Sequence, residues 1–152
     1  MRRLSGVVLA GAILMLPAFS QNAGVQAQAP QKLTMEGDLA LWSVAIRPDK
    51  TADFEKILGK VKEALGKSTA PEAKQQLAGW RVVKMAKPMP DGNIIYTHVI
   101  TPVAGADYNI LQVLYATFTD PAEQKELYEL YRGAFAANLG ISSGTVASDL
   151  SK

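Results

Sequence analysis

The fold of this chain is decided by the stretch WRVVKMAKPMPDGNIIYTHVIT, residues 80–101. Two runs rich in β-branched and aromatic residues, 80–87 and 93–101, flank the segment PMPDGN. Proline presets its own φ and glycine accepts a positive φ, so the Pro-Asp-Gly sequence favours a tight turn. The stretch therefore predicts an antiparallel hairpin whose turn lies at Pro90–Asn93.

A strand and two helices are predicted before this hairpin. Ala40–Arg47 (ALWSVAIR) alternates between a wholly apolar face and a mixed face, which is typical of a strand. Thr51–Leu65 carries apolar residues at helical spacing and is expected to stop at Gly66. Thr69–Glu72 has the pattern of a capping box and predicts a shorter helix that ends at Gly79.

The residues after the hairpin give weaker signals. Tyr108–Phe118 mixes β-branched and helix-forming residues, and its apolar stripe favours a helix. Asp120–Glu123 is a second capping pattern and opens a clearer amphipathic helix. Ile141–Val146 is a candidate for a short edge strand. The predicted order of elements is therefore β-α-β-β-α, with or without a final strand.

The first residues have the layout of a signal peptide. Arg2 and Arg3 precede a short apolar run, Val7–Met15, which is too short for a spanning helix. Val25–Ala27 fits the small-residue pattern that the signal peptidase reads. We predict a signal peptide at 1–27, a flexible lead-in at 28–38 and a single α+β domain at 39–152. This organisation implies a periplasmic or secreted protein with no membrane span after cleavage; an uncleaved N-terminal anchor is the alternative.

Composition narrows the function classes. The chain holds 16 Lys and Arg against 14 Asp and Glu, but both signal-peptide arginines leave on cleavage, so the mature domain is close to neutral. A neutral domain without a basic patch does not fit a nucleic-acid binder. The chain has no cysteine and one histidine, so it offers neither a disulfide nor a multi-histidine metal set, and no cofactor is predicted.

The first half of the domain resembles a known family. The residues that carry the likeness are Ile46–Lys50 leading into Phe54, then Gly79 and Trp80 at the start of the hairpin. They are similar to the ferredoxin-like unit of the dimeric α/β-barrel families, over residues 40–101, and the chain also looks like small secreted bacterial proteins. The resemblance implies an antiparallel sheet with helices on one face, a second copy covering the other, and a ligand site between the two sheets.

Four residues are the candidates for a site. His98, the only histidine, lies mid-strand beside Tyr96, and the pair is the candidate catalytic set; a structural, hydrogen-bonded histidine is the alternative. Trp42 and Trp80 belong to two different strands and can line a ligand pocket together with Tyr96 and His98, or can simply pack in the core.

Three functions are compatible with these features. The first is an exported, homodimeric binding or structural domain that holds a small apolar or mixed ligand. The second is a cofactor-independent oxidoreductase or isomerase of the dimeric α/β-barrel kind, with His98, Tyr96 and Trp42 near the substrate. The third is a protein-interaction module of the envelope. The first is preferred because the sequence offers few polar catalytic residues.

The signal-peptide layout predicts cleavage after Ala27. Exported protein purified from a bacterial host should begin at Gln28 when its N-terminus is sequenced. An intact N-terminus starting at Met1 in the membrane fraction would contradict the prediction and favour the uncleaved anchor.

Overall fold

A computed structural model describes residues 31–150, so the predicted signal peptide lies outside the described residues. The described chain forms four β-strands and four α-helices. The strands are β1 (Leu39–Ile46), β2 (Trp80–Lys84), β3 (Ile94–Ile100) and β4 (Phe135–Gly144). The helices are α1 (Thr51–Lys67), α2 (Ala73–Gly79), α3 (Ile110–Thr117) and α4 (Pro121–Ala134). No helix in the described range combines the length and apolar character needed to cross a membrane.

The four strands form one antiparallel sheet in the order β2-β3-β1-β4. The chain order β-α-β-β-α-β and this strand order together make a ferredoxin-like α+β fold, so the predicted fold class is confirmed. Helix α1 packs against α2, α3 and α4, and the helical layer lies on one face of the sheet. Segment 108–118, whose type the sequence left ambiguous, supplies helix α3 of this layer.

The predicted hairpin is present. Strands β2 and β3 pair antiparallel, from Trp80 opposite Ile100 to Lys84 opposite Tyr96. The turn that joins them contains Gly92 at a φ of 86°, a conformation that glycine adopts without strain. Strand β2 ends at Lys84, three residues earlier than the sequence suggested, because the chain then leaves the ladder toward two prolines.

Alternation along the strands separates two faces of the sheet. On β1 the helix-facing side chains are buried, whereas Leu41 on the opposite side is 40% exposed. We call the side away from the helices the open face. Its strand positions are Leu39, Leu41, Ser43, Ala45, Arg81, Val83, Ile95, Thr97, Val99, Ala137, Gly140, Ser142 and Gly144. The core lies on the other side, between the sheet and the helices.

Strand β4 is longer than predicted and begins earlier. The sequence placed an edge strand at Ile141–Val146, but β4 starts at Phe135, directly after α4. Phe135 pairs with Ile46 and packs against the core, which anchors the start of the strand. Two register shifts, one of them beside Ser43, interrupt its pairing with β1 and hide the alternation that would reveal a strand.

Two predicted helix ends are also corrected. Helix α1 runs through Gly66 to Lys67, because the glycine keeps helical geometry rather than ending the helix. Helix α2 starts at Ala73, and no side-chain hydrogen bond caps it, so the capping box read from the sequence does not form. The cap at Asp120 does form: its carboxylate accepts the backbone N–H groups of the first turn of α4.

The lead-in, predicted to be flexible, makes specific contacts with the domain from Lys32 onward. The backbone N–H of Leu33 donates to the Asp107 carboxylate at 2.9 Å, and that of Tyr108 donates to the Leu33 carbonyl at 2.8 Å. Met35 is buried in the core. These contacts join the segment before β1 to the loop that precedes α3.

The hairpin turn depends on the positive φ of Gly92. Replacing Gly92 with Val should lower the free energy of unfolding by about 1 kcal/mol or more, since a β-branched residue is strained at that φ. Urea unfolding followed by circular dichroism measures the loss. Gly92→Asn is the matched control, because asparagine tolerates this conformation and should lose less stability. Equal midpoints for Gly92→Val and the parent chain would contradict the turn.

Candidate functional site: an aromatic cluster around His98

The register of three strands brings the four candidate residues together. His98 on β3 lies opposite Trp42 on β1, and Tyr96 is two residues away on the same face. Trp80 lies at the start of β2, opposite Ile100 and therefore two register positions from His98. All four point to the helix side, where Phe54 of α1 contacts the rings of Tyr96 and His98. The structure therefore brings all four candidate residues into one cluster.

His98 is enclosed by aromatic rings. Its imidazole stacks on Trp42, with ring centroids 4.6 Å apart and an interplanar angle of 23°. The indole N–H of Trp80 donates to His98 Nδ1 at 2.9 Å. Because Nδ1 accepts this hydrogen bond, the neutral ring carries its own proton on Nε2. Nε2 is buried and finds no hydrogen-bond partner in the described part of the chain.

Burial determines the protonation of His98. The side chain is 0% exposed, and the loss of hydration lowers its pKa from 6.5 to about 4. The imidazole is therefore neutral at physiological pH. A general base must reach the proton that it removes, and a solvent-inaccessible ring among packed aromatics has no such path. The geometry instead makes His98 the acceptor that holds the Trp80 indole in place.

Tyr96 has a different polar environment at the edge of the cluster. Its hydroxyl donates to Glu55 Oε1 at 2.6 Å, and the same carboxylate oxygen accepts from Lys84 Nζ at 3.0 Å. Burial and the hydrogen bond to Glu55 raise the pKa of Tyr96, whereas the bonds from Tyr96 and Lys84 lower the pKa of Glu55. Tyr96 therefore retains its proton and serves as a donor that fixes Glu55 of α1 against the sheet.

The two tryptophans lie at opposite sides of His98. Trp42 is buried, and its indole N–H donates to Asn138 Oδ1 of β4 at 3.1 Å. Trp80 is half-buried, and its ring contacts that of Tyr108 edge to face, with ring centroids 5.3 Å apart. Trp80 also lines a small surface pocket of about 60 Å³ between α1, α2 and β2, which is too small for most organic ligands. A ligand held against the open face would touch neither tryptophan.

The sequence did not reveal the partners of these residues. Glu55 and Lys84 lie 29 residues apart and meet only because α1 crosses the hairpin. Asn138 falls in the tail whose pattern was weak. Phe54 was visible as the early aromatic of α1, but its central position in the cluster depends on the packing angle of the helix. Within residues 31–150, no group of three or more His, Cys, Asp or Glu side chains is arranged to hold a metal ion.

The chain was also compared with known proteins. Neither models of protein families, nor curated proteins, nor solved structures gave a match. The role of the domain is therefore inferred from the placement of its own side chains.

The lowered pKa of His98 makes stability depend on pH. The unfolded chain protonates this histidine below pH 6.5 while the folded chain does not until about pH 4, so folding is progressively opposed as the pH falls through that window. The free energy of unfolding should therefore be about 2 kcal/mol lower at pH 5 than at pH 8. Urea unfolding at both pH values measures it.

His98→Gln is the matched control, since glutamine can still accept from Trp80 but does not titrate. The carboxylates contribute equally to the pH dependence of stability in both proteins. Between pH 8 and pH 5 the free energy of unfolding should therefore fall by about 2 kcal/mol less in the variant than in the parent. The same pH dependence in both proteins would show that His98 is protonated normally in the folded state.

Proposed function

We propose that this chain is an exported, non-catalytic homodimeric binding domain whose two copies pair through the open faces of their sheets. The proposal places the mature protein in the periplasm or outside the cell. The single observation that supports it most directly is the composition and shape of the open face.

The open face is apolar and almost uncharged. Leu39, Leu41 and Val83 are each more than a third exposed there, and Val83 reaches 47%. Arg81 is the one charged residue at the open-face positions of the four described strands. Contiguous apolar surface of this kind usually marks an interface, and the near-neutral mature chain does not oppose self-association.

The open face is also lopsided in a way that suits a second copy. Its β2 side carries bulky residues, Arg81 and Val83, whereas the β4 residues that pair with β1 on this face are small. The small residues are Ala137, Gly140, Ser142 and Gly144. Consider a two-fold axis that runs parallel to the strands, midway between two facing sheets and in line with the boundary between β1 and β3. Rotation about this axis places the bulky half of each copy opposite the small half of its partner. Such a face is complementary to itself, as a two-fold interface requires.

The centre of the face suggests where a ligand would lie. Ser43 and Thr97 occupy neighbouring central strands, and their hydroxyl oxygens are 2.9 Å apart. Larger apolar residues, Leu41 and Val99, form the next row of the face. Around the same two-fold axis, the hydroxyls of both copies would line one cavity with apolar walls. That cavity favours a small ligand of mixed character.

The alternative functions have less support. The cofactor-independent enzyme would need His98 and Tyr96 at a substrate, yet both are buried on the helix side, and the Tyr96 hydroxyl already donates to Glu55. An envelope interaction module would cover the same open face with a different protein. The fit between the bulky and small halves of the face favours a second copy of this chain over an unrelated partner.

Oligomeric state tests the proposal directly. Light scattering of the chain starting at Gln28 should give twice the monomer mass at micromolar concentration. Leu41→Lys places a charge on the open face and should shift the protein to monomer, because the charge would be buried against the partner. Tyr128→Lys is the matched control: Tyr128 is 42% exposed on α4, against 40% for Leu41 on the open face, and its variant should remain dimeric.

A concentration-independent monomer for the parent chain would overturn the proposal, and so would equal masses for the two lysine variants. Native mass spectrometry of protein exported from its bacterial host adds a test of the ligand. The parent dimer should retain an additional small mass that the Leu41→Lys monomer lacks. A dimer with no bound mass from any preparation would reduce the role to a structural one.

A further inference from the structure

A second feature lies at the end of the sheet, away from the centre of the open face. A hollow of about 460 Å³ opens where β1 ends and α4 passes directly into β4. We call it the arginine hollow; its polar lining residues are Arg47, Tyr131, Arg132 and Asn138, and Phe135 contributes its ring. The volume falls within the range of about 300–1,000 Å³ that small-molecule sites occupy.

The two arginines of the hollow are not neutralised by the protein. Arg47 and Arg132 are both exposed, and neither guanidinium forms an ion pair or a side-chain hydrogen bond with any of residues 31–150. The lysines, in contrast, supply every described ion pair, including Lys60 with Glu123 and Lys84 with Glu55. No carboxylate is among the residues that line the hollow. The site therefore has two unmatched positive charges.

Asn138 adds a neutral donor with a fixed orientation. Its Oδ1 accepts two hydrogen bonds, from the indole N–H of Trp42 at 3.1 Å and from the backbone N–H of Gly140 at 3.1 Å. Only the oxygen can accept both, so the amide nitrogen and its two protons are left over. Nδ2 makes no hydrogen bond within the described chain. The aromatic cluster thus orients a donor group at the wall of the hollow.

The end of helix α4 also contributes to the field. Its last carbonyls carry a partial negative charge of about half an electron, which favours nearby cations and explains part of the arginine placement. One of these carbonyls, that of Ala134, is already satisfied by the backbone N–H of Arg47 at 3.0 Å. Two full guanidinium charges exceed the half charge that remains, so the hollow is net positive.

We infer that the arginine hollow is a binding site for a small organic anion, with a carboxylate or phosphate head on an apolar body. The planar guanidinium groups of Arg47 and Arg132 match the paired oxygens of such a head, and Asn138 supplies a further donor. The ring of Phe135 offers a surface for the apolar body. The hollow adjoins the open face at Ala137 but lies outside the cavity proposed around Ser43 and Thr97, and binding here does not require the dimer.

Calorimetric titration of the chain starting at Gln28 tests the site with four probes. Benzoate and phenyl phosphate carry the two anionic heads on the same ring, benzamide is a neutral isostere of benzoate, and inorganic phosphate lacks the apolar body. At least one of the two aromatic anions should bind saturably at millimolar concentration or better, and at least tenfold more tightly than benzamide and inorganic phosphate. The stronger of the two aromatic anions identifies the head group.

Charge-removing variants assign the binding to the hollow. Arg47→Gln and Arg132→Gln should each weaken binding of the preferred anion at least tenfold, whereas Lys74→Gln, which removes the charge of an exposed lysine on α2, should leave it unchanged. These side chains are exposed and unpaired, so their replacement should not affect folding. Circular dichroism of each variant checks this. Independently, the Asn138 side-chain amide resonances should shift on titration.

The inference is overturned if neither aromatic anion binds saturably, if benzamide binds as well as benzoate and phenyl phosphate, or if the Lys74→Gln variant loses as much affinity as the two hollow variants. Calorimetry measures anion binding, whereas light scattering measures the mass of the protein. A negative result in the first is therefore distinct from a monomeric mass in the second.

Discussion

The pairing of β1 with β3 is the constraint on which the rest of the structure depends. Trp42 lies opposite His98 and Val44 lies opposite Tyr96, so one face of the two central strands collects the aromatic rings. The other face is left with Leu41, Ser43 and their neighbours. A shift of the register by a single residue would turn every one of these side chains to the opposite face. The division between a closed helical side and an open side therefore follows from this one ladder.

Two hydrogen bonds join polar side chains on the helical side of the sheet. The imidazole of His98 accepts from Trp80, and the hydroxyl of Tyr96 donates to Glu55. Burying an unpaired polar group costs about 1–3 kcal/mol, so these pairings stabilise a core that contains several polar aromatic residues. They also explain why residues that look chemically active in the sequence are held in fixed, protonated or neutral forms.

Much of the fold could be predicted from the sequence because its signals are local. The Pro-Asp-Gly turn, the alternation of residues 40–47, the apolar stripe of α1 and the cap at Asp120 each need only a few neighbouring residues. Strand β4 could not be placed correctly, since register shifts and small residues remove its alternation. Gly66 was misread as a stop, because the helix continues one residue beyond it to Lys67.

The four candidate residues could be singled out from the sequence, but their contacts could not. The sequence does not indicate that His98 accepts a hydrogen bond from Trp80 or that Asn138 accepts one from Trp42, because these residues are far apart in the chain. The arginine hollow was not predicted either, since Arg47 and Arg132 converge only after α4 passes into β4. Each of these features depends on long-range packing.

The central claim is that bulky and small halves of the open face meet across a two-fold axis, and cross-linking tests it most directly. The natural chain has no cysteine, so Arg81→Cys/Ser142→Cys carries two unique thiols on one row of the face. Within a chain they are three strand spacings, about 14 Å, apart, whereas facing sheets pack about 10 Å apart.

A bis-maleimide of matching reach should convert the double-cysteine variant to a covalent dimer on a denaturing gel. The single variants Arg81→Cys and Ser142→Cys should remain monomeric, because the axis places each position against the other. A double variant that yields no more dimer than the single variants would contradict the proposed pairing.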